Sequence, residues 1–199
     1  MTARPRKTAA ELMAELARNV EFREAASERE AEQQARVGAL RAAEQPIVAD
    51  LRKAGVEVVS VWDLVNTSEP YPSALPVLLA HLERGGYPDR VMESLGRALA
   101  VKPAVGFWQR LRVLYLGATG PGEEEGLAVA LAASATPDQT DELAALLRAP
   151  TRGRTRVHFV RPLLRVGGSH GRKVVEGLRG DPVVGLEVSA ALEGLSQRD

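Results

Sequence analysis

The chain has 199 residues, with 26 basic and 26 acidic side chains and no cysteine. Balanced charge gives the whole molecule no electrostatic attraction to nucleic acid or to a membrane surface, and the lack of cysteine excludes disulfides, thiolate nucleophiles and cysteine-ligated zinc. Hydrophobic residues make up 45% of the chain but aromatic residues only 4%, which favours closely packed helices rich in Ala and Leu over a β-sheet.

The first predicted element is one long helix over residues 8–44, interrupted only by Gly38. A short apolar stripe at helical spacing lies near its start, formed by Leu12, Met13, Leu16 and Val20. The middle of this helix, EFREAASEREAEQQAR, is too charged to be buried. Two interpretations stay open: a solvated helix lying partly on the body of the protein, or a coiled-coil or partner-binding arm. We predict that residues 1–45 form an N-terminal helical extension to a domain over residues 46–199.

The second predicted element begins at Pro46, because proline suits the first position of a helix, and ends at Gly55. The next residues, VEVVSVW, alternate weakly in polarity, which is compatible with a strand. Ser60 before VWDLVN also resembles the cap of a short helix. The sequence leaves both assignments of this segment open.

From residue 71 onward, turns recur at similar intervals and separate helices in pairs. The first pair has leucines at 75, 78, 79 and 82 on one face, then the turn RGGYP and the helix DRVMESLGRALAV. The same pattern predicts three further pairs: PAVGFWQRLRVLYLG with GEEEGLAVALAASA, DQTDELAALLRA with GRTRVHFVRPLLRVG, and SHGRKVVEGLRG with DPVVGLEVSAALEGL. The second helices start near residues 88, 122, 153 and 181, a spacing typical of helical-hairpin repeats or just below it. A kink is expected at Pro162, inside the second helix of the third pair.

Two stretches, LPVLLAHLERGGYPDRVMESLGRAL and VVEGLRGDPVVGLEVSAALEGL, share leucines, a turn with Asp and Pro, then a valine and an Ala-Leu pair. These stretches resemble HEAT repeats of the armadillo-like helical repeat family, over residues 71–195. The resemblance implies an all-α, right-handed superhelix, a solenoid in which each hairpin covers the apolar face of its neighbour. Small residues would let neighbouring helices approach closely, namely Gly96, Ala98, Gly185 and Ala190.

In HEAT-like stacks the second helices line the concave wall, so their polar stripes are the candidate binding surface. The candidate residues are spaced three or four apart: Arg90, Glu93 and Arg97 on the first pair, and Arg154, His158, Arg161 and Arg165 on the third. This spacing predicts that the four residues of the third pair share one helix face. The stripes are compatible with a solvated outer face or with a charged groove that binds an acidic segment of another protein.

Charge is distributed unevenly in the second half of the chain. Residues 122–147 contain six acidic and no basic side chains, whereas residues 148–180 contain nine basic side chains and one acidic. The basic 148–180 segment leaves nucleic-acid binding as one alternative, because phosphate neutralisation requires clustered Arg and Lys. The acidic segment leaves a second alternative, an immunity or inhibitor protein that blocks a toxin or enzyme.

No arrangement of catalytic or metal-binding residues stands out in the sequence. The three histidines lack ligand spacing, and His81 is expected to tip its ring toward solvent. A helical-repeat DNA glycosylase of the alkylpurine type would need Trp62, Trp108 and Asp63 in its cleft, yet Trp108 is expected in the core.

The expected function is therefore that of a non-catalytic scaffold or adaptor for a protein partner. We expect no metal, no other cofactor and no enzymatic activity. The N-terminus lacks the apolar region of a signal peptide, and no apolar run approaches the length of about 18 residues that spans a membrane, so the expected location is the cytoplasm. The sequence sets neither the partner nor the oligomeric state.

Overall fold

A computed structural model describes residues 8–16 and 20–196 of the chain. Over these residues the chain forms eleven α-helices and three 3₁₀ segments, and no β-strand. The predicted all-α class is confirmed. The chain divides into two compact units, Met1–Ala42 and Ala43–Asp199.

The α-helices are, in chain order, α1 Ala9–Leu16, α2 Val20–Lys53, α3 Trp62–Val65, α4 Ala74–Arg84, α5 Asp89–Ala98, α6 Trp108–Gly117, α7 Pro121–Ser134, α8 Thr140–Arg148, α9 Val160–Val166, α10 Gly168–Glu176 and α11 Gly185–Ser196. The 3₁₀ segments are Lys102–Phe107, Pro137–Gln139 and Pro150–Phe159.

The first unit contains α1 and most of α2. Thr8 and Glu11 start α1 with reciprocal bonds: the Glu11 N–H donates to Thr8 Oγ1 at 3.3 Å, and the Thr8 N–H to Glu11 Oε2 at 2.9 Å. The charged middle of α2 is exposed, as its composition predicts. Of the predicted apolar stripe only the Met13 side chain is described, and it is 62% exposed; the other three side chains and the continuity of the helix at 17–19 lie outside the described residues.

Helix α2 runs through Pro46 to Lys53, so the predicted helix start at Pro46 is wrong. A proline inside a helix costs about 3 kcal/mol, because it removes a hydrogen bond and crowds the preceding turn. The following turns bury Ile47, Val48 and Leu51, and each buried side chain of this size contributes roughly 1.5–3 kcal/mol. Burial of this face therefore outweighs the cost of the proline. The helix then ends in a turn where Gly55 has φ 80°.

Residues after Gly55 form the short helix α3 rather than a strand. The Asp63 carboxylate accepts the backbone N–H groups of Val59 and Ser60 at 2.9 and 3.0 Å. The Ser60 hydroxyl oxygen accepts the Trp62 N–H at 3.2 Å. Of the two assignments that the sequence left open, the short helix is confirmed.

From residue 71 onward the helices lie in pairs, α4 with α5, α6 with α7, and α10 with α11. Helix α8 pairs with the chain from Pro150 to Val166, which combines a 3₁₀ segment and α9. Successive pairs contact each other: α5 packs on α7, α7 on Pro150–Phe159, and α9 on α11. Leucines fill the core between the pairs, including the fully buried Leu78, Leu95, Leu111 and Leu127.

The third pair departs from the sequence prediction. An α-helix from about residue 153 was expected, yet Gly153 has non-helical angles (φ 50°, ψ −129°) and α9 begins only at Val160. Pro162 therefore lies in the first turn of α9, where a backbone N–H has no partner inside the helix. The expected kink at Pro162 within a continuous helix is wrong for this reason.

Polar side chains join the first helices of successive pairs. Arg110 on α6 donates from Nε and Nη2 to both carboxylate oxygens of Glu83 on α4, at 2.6 and 2.5 Å. Trp108 Nε1 on the same helix donates to Glu142 on α8 at 3.0 Å. Trp108 is only 3% exposed, which confirms its predicted place in the core.

The contact between α5 and α7 depends on two glycines. A Cβ on Gly126 would lie 2.5 Å from the Glu93 carbonyl oxygen, and one on Gly96 would lie 2.5 Å from the Gly126 carbonyl carbon. Gly185 is similarly close to the Arg179 carbonyl oxygen, at 2.6 Å. The predicted close approach of neighbouring helices is confirmed at Gly96, whereas Gly185 faces the turn before its own helix and Ala190 is exposed.

Asp89 links the first two pairs by a shared cap. This first residue of α5 accepts, through its two carboxylate oxygens, the backbone N–H groups of Gly122 and Glu123 at 2.8 and 2.9 Å. Both donors belong to the first turn of α7, where N–H groups lack partners within the helix. The start of the second helix of one pair thus stabilises the start of the second helix of the next pair.

His81 is buried, at 1% exposure, so the expectation that its ring tips toward solvent is wrong. Its Nε2 lies 3.2 Å from Asp50 Oδ2 and its Nδ1 lies 2.6 Å from the Tyr87 hydroxyl oxygen. Because a carboxylate only accepts, Nε2 donates to Asp50 and Nδ1 accepts from Tyr87. Burial lowers the pKa of His81, helped by the positive charge of Arg84, while Asp50 opposes the shift. His81 is therefore a buried polar residue in which both ring nitrogens have hydrogen-bond partners.

Replacing Gly126 by Ala should lower the free energy of unfolding by about 2–3 kcal/mol, because the new methyl group collides with backbone that cannot rotate away. Urea unfolding followed by tryptophan fluorescence measures this loss. The control is Gly117→Ala, where a Cβ meets no atom within 4 Å, and its stability should stay within about 0.5 kcal/mol of wild type. Equal stability of the two variants would contradict the close contact.

The low pKa of His81 makes stability depend on pH in one direction. Unfolded histidine takes up a proton near pH 6.5, whereas buried His81 does so only at lower pH, so stability is complete above pH 6.5 and is lost below it. Wild type should lose more free energy of unfolding between about pH 7.5 and about pH 5.5 than His81→Gln does. Parallel losses in the two proteins would show that His81 does not cause the effect.

Candidate protein-binding groove

A groove of about 860 Å³ lies on the second helices of the last three pairs. Its walls come from α7, the end of Pro150–Phe159, α9 and α11. The lining residues are Val129, Ala132, Ala133, Val157, His158, Arg161, Pro162, Leu164, Arg165, Glu187, Ala191, Gly194 and Leu195. Most are apolar and many are small, so the groove has an apolar floor with a few charged side chains on it.

Three of the seven predicted binding residues line this groove: His158, Arg161 and Arg165. The helix α9 carries the two arginines, four residues apart, and both are exposed. Arg154 is exposed too, but it lies on the 3₁₀ segment and is not among the lining residues. The predicted single helix face for all four is therefore wrong, because the α-helix begins after Phe159.

The other three predicted residues, Arg90, Glu93 and Arg97, lie on α5 and form ion pairs with each other. Glu93 is 2.6 Å from Arg90 and 2.8 Å from Arg97, and Arg97 continues to Glu125 on α7 at 3.3 Å. Glu125 also lies 2.8 Å from His158 Nε2. These pairs form a row of alternating charges from α5 across α7 to the edge of the groove.

The two groove arginines already have partners within the chain, but weak or incomplete ones. Arg161 lies 2.6 Å from Glu187, and with the arginine side chain 67% exposed such a pair contributes at most about 1 kcal/mol. Arg165 donates one hydrogen bond, at 3.1 Å, to the Ala132 carbonyl oxygen near the end of α7. A guanidinium group has five N–H donors, so both residues keep capacity for a carboxylate.

Sequence spacing missed Glu187 and the apolar floor as parts of the site. Glu187 follows Gly185 at the start of α11, a position that corresponds to the polar stripes on the earlier second helices. That correspondence is a usable signal. The small floor residues Ala132, Ala133 and Ala191 carry none, since alanines of this kind occur throughout the chain.

Two arginines of the basic 148–180 segment turn inward, whereas its other seven basic side chains are exposed. Arg152 donates to the carbonyl oxygens of Tyr115, at 3.0 Å, and Leu116 at the end of α6. Arg156 is only 3% exposed and donates to the Leu147 carbonyl oxygen at 2.7 Å and to Asp181 at 2.6 Å. These arginines stabilise the carboxyl ends of helices, where carbonyl groups lack internal partners.

The acidic and basic segments also pair with one another. Besides the contact between Glu125 and His158, Glu124 accepts the Thr155 hydroxyl at 2.6 Å and His170 lies 3.6 Å from Asp141. The contrast in charge between the two segments is therefore partly cancelled inside the fold.

Other chemistries find little support among the described residues. No group of three or more His, Asp or Glu side chains in this part of the chain is placed to hold a metal ion. None of the helices seen here is both long and apolar enough to span a lipid bilayer. Trp62 stacks with the Arg90 guanidinium, 4.2 Å from its ring centroid, and neither Trp62 nor Trp108 lines the groove.

No protein-family model, curated protein or solved structure matches the chain. The geometry defines the site as an open, largely apolar groove with two exposed arginines, Arg161 and Arg165.

Acid should weaken the fold through Asp181. Hydrogen bonds from Arg156, then from the Val184 and Val183 N–H groups, lower the pKa of Asp181 to about 2. The stability that this carboxylate supplies is complete above its ordinary pKa of 3.8 and is lost as the pH falls toward 2. Asp181→Asn should therefore remove part of the pH dependence in this window, as measured by thermal unfolding.

At neutral pH the same variant should cost about 3 kcal/mol, because it leaves the buried Arg156 guanidinium without its counter-charge. Urea unfolding at about pH 7 measures that loss. Wild-type stability in Asp181→Asn would mean that Arg156 does not need this carboxylate.

Proposed function

We propose that the predicted domain over residues 46–199 is a HEAT-like α-α superhelix whose helix pairs begin at residue 71. Two observations support this. The helix pairs follow one another in chain order, each in contact with the next: α5 contacts α7, α7 contacts Pro150–Phe159, and α9, which follows that segment, contacts α11. The close contact at the glycines of α5 and α7, and the cap that Asp89 provides for α7, join successive pairs as such a stack requires.

The function we propose is that of a non-catalytic scaffold or adaptor that binds an acidic segment of a protein partner. The groove formed by α7, α9 and α11 carries this proposal, because it combines an apolar floor with the exposed Arg161 and Arg165. Apolar contact supplies affinity and the arginines supply the charge preference.

Rigidity of the walls favours binding. The α7 part of the floor is held at both ends by side chains of neighbouring elements. Asp89 of α5 accepts an N–H group in the first turn of α7, and Arg165 of α9 donates to a carbonyl oxygen near its end. A groove that is already ordered loses little conformational entropy when a partner docks. The exposed pair between Arg161 and Glu187 costs little to exchange for a partner carboxylate.

Nucleic-acid binding is less well supported by the basic segment. Arg152 and Arg156 donate to backbone carbonyl oxygens within the chain, which leaves fewer of the segment's nine basic side chains to neutralise phosphates. The acidic segment is similarly engaged through Glu124 and Glu125, which weakens the alternative of an inhibitor that binds through this face.

The test is charge reversal in the groove, with Arg161→Glu and Arg165→Glu combined in the full chain. The control is Lys173→Glu with Arg179→Glu, which makes the same change in net charge on two exposed residues of the basic segment outside the groove. Circular dichroism establishes that both proteins are folded. Each protein then serves as bait in affinity capture from the native cell, read by mass spectrometry.

We expect a partner that wild type and the control capture and that the groove variant loses by at least about tenfold. Hydrogen exchange on the complex should show protection in α7, α9 and α11. Equal capture by all three proteins would remove the groove from the proposal. Equal loss in both variants, with a steep dependence on salt, would instead indicate nucleic-acid or other nonspecific charge binding.

A further inference from the structure

The groove offers few hydrogen bonds to the backbone of an extended segment. Only His158, Arg161, Arg165 and Glu187 carry polar side-chain atoms among its thirteen lining residues, and none of the thirteen has an amide or hydroxyl group. Beyond the first turn of each helix, the backbone N–H groups of the helices that form its walls are bonded within those helices, so few of them can donate to a docked segment. An extended segment that lies on the apolar floor would therefore leave several of its C=O groups without donors, which is unfavourable.

An α-helix meets no such difficulty, because its backbone hydrogen bonds are internal. The floor also suits a helix. Ala132, Ala133, Ala191 and Gly194 are small, so the side chains of a docked helix can lie between them and its axis can come close to α7 and α11. The groove therefore selects for a segment with one apolar helical face.

The two arginines add a requirement on spacing. Arg161 and Arg165 are four residues apart on α9 and so lie about 6 Å apart along its axis, on the same face. Two carboxylates at positions i and i+4 of another helix have the same separation. A docked helix that runs along α9 can thus pair with both guanidinium groups at once.

We infer that the groove binds an acidic amphipathic α-helix of another protein, whose apolar face covers the floor and whose i,i+4 carboxylates pair with Arg161 and Arg165. This inference rests on the proposed function and adds the conformation and spacing of the partner. Glu187, which lies 2.6 Å from Arg161, is the internal competitor for one of these carboxylates. Removal of the Glu187 carboxylate should therefore strengthen binding of the partner helix.

Two displayed peptide libraries of equal length and equal randomised composition separate the possibilities. One keeps Ala and Gln at fixed positions so that helices form, and the other has Pro at every fourth position so that they do not. Both are panned against the full chain. We expect binders from the helix-forming library alone, with Asp or Glu at i and i+4 and apolar residues at helical spacing.

Fluorescence anisotropy with the best selected peptide then supplies the matched comparisons. Arg161→Glu with Arg165→Glu should weaken binding by at least about tenfold, and Arg161→Gln with Arg165→Gln should also weaken it. Glu187→Gln should strengthen binding about threefold, since it frees Arg161. The control Lys173→Glu with Arg179→Glu should stay within about twofold of wild type.

Several results would overturn the inference, in distinguishable ways. Equally tight, arginine-dependent binders from the proline library would exclude the helical partner and leave the proposed function intact. Failure of both libraries to yield groove-dependent binders would overturn the inference and the proposed function together. A doubled mass in sedimentation that the groove variant abolishes would make a second copy of the chain the occupant, against the inference.

Discussion

The contact of α5 with α7 fixes much of the second unit, and it is a contact between backbones. At Gly96 and Gly126 there is no room for even a methyl group, so the distance between these helices is set by main-chain atoms and not by side-chain rotamers. Glu125, the neighbour of Gly126, is thereby placed between Arg97 and His158. The α7 wall of the groove takes its position from the same contact. The position of this groove wall thus depends on Gly96 and Gly126, neither of which lines the groove.

Arginine serves two purposes in this protein, and burial separates them. Arg152, Arg156 and Arg165 donate to carbonyl oxygens in the last turns of α6, α8 and α7 respectively. Each guanidinium group satisfies an acceptor that the helix cannot, and its charge opposes the negative end of the helix dipole. Arg156 is buried and bonds only within the fold, whereas Arg165 is exposed and also lines the groove. A basic residue in the sequence therefore does not by itself add an exposed charge.

Hydrophobic periodicity predicted the helix pairs from residue 71 well, because leucines at intervals of three and four identify a helix whatever surrounds it. It failed at Pro46 and at residues 150–159, where burial and long-range arginine bonds override local preference. For the site, spacing identified His158 and the α9 arginines but also included Arg154, since spacing counts residues along an assumed helix. A groove on the second helices was expected from the resemblance to HEAT repeats, but its apolar floor was not, because the residues that form the floor are separated by up to some sixty residues of sequence.

The cap that Asp89 provides has a consequence for how the protein can be divided. The turns between pairs suggest places at which the chain could be cut. However, the N-terminal cap of α7 in the second pair is Asp89, which belongs to the first pair. A fragment that starts after Ala98 would lack Asp89, so the N–H groups of Gly122 and Glu123 would lose their acceptor. The first two pairs are therefore not interchangeable modules, because the second helix of the second pair is capped by a residue of the first pair.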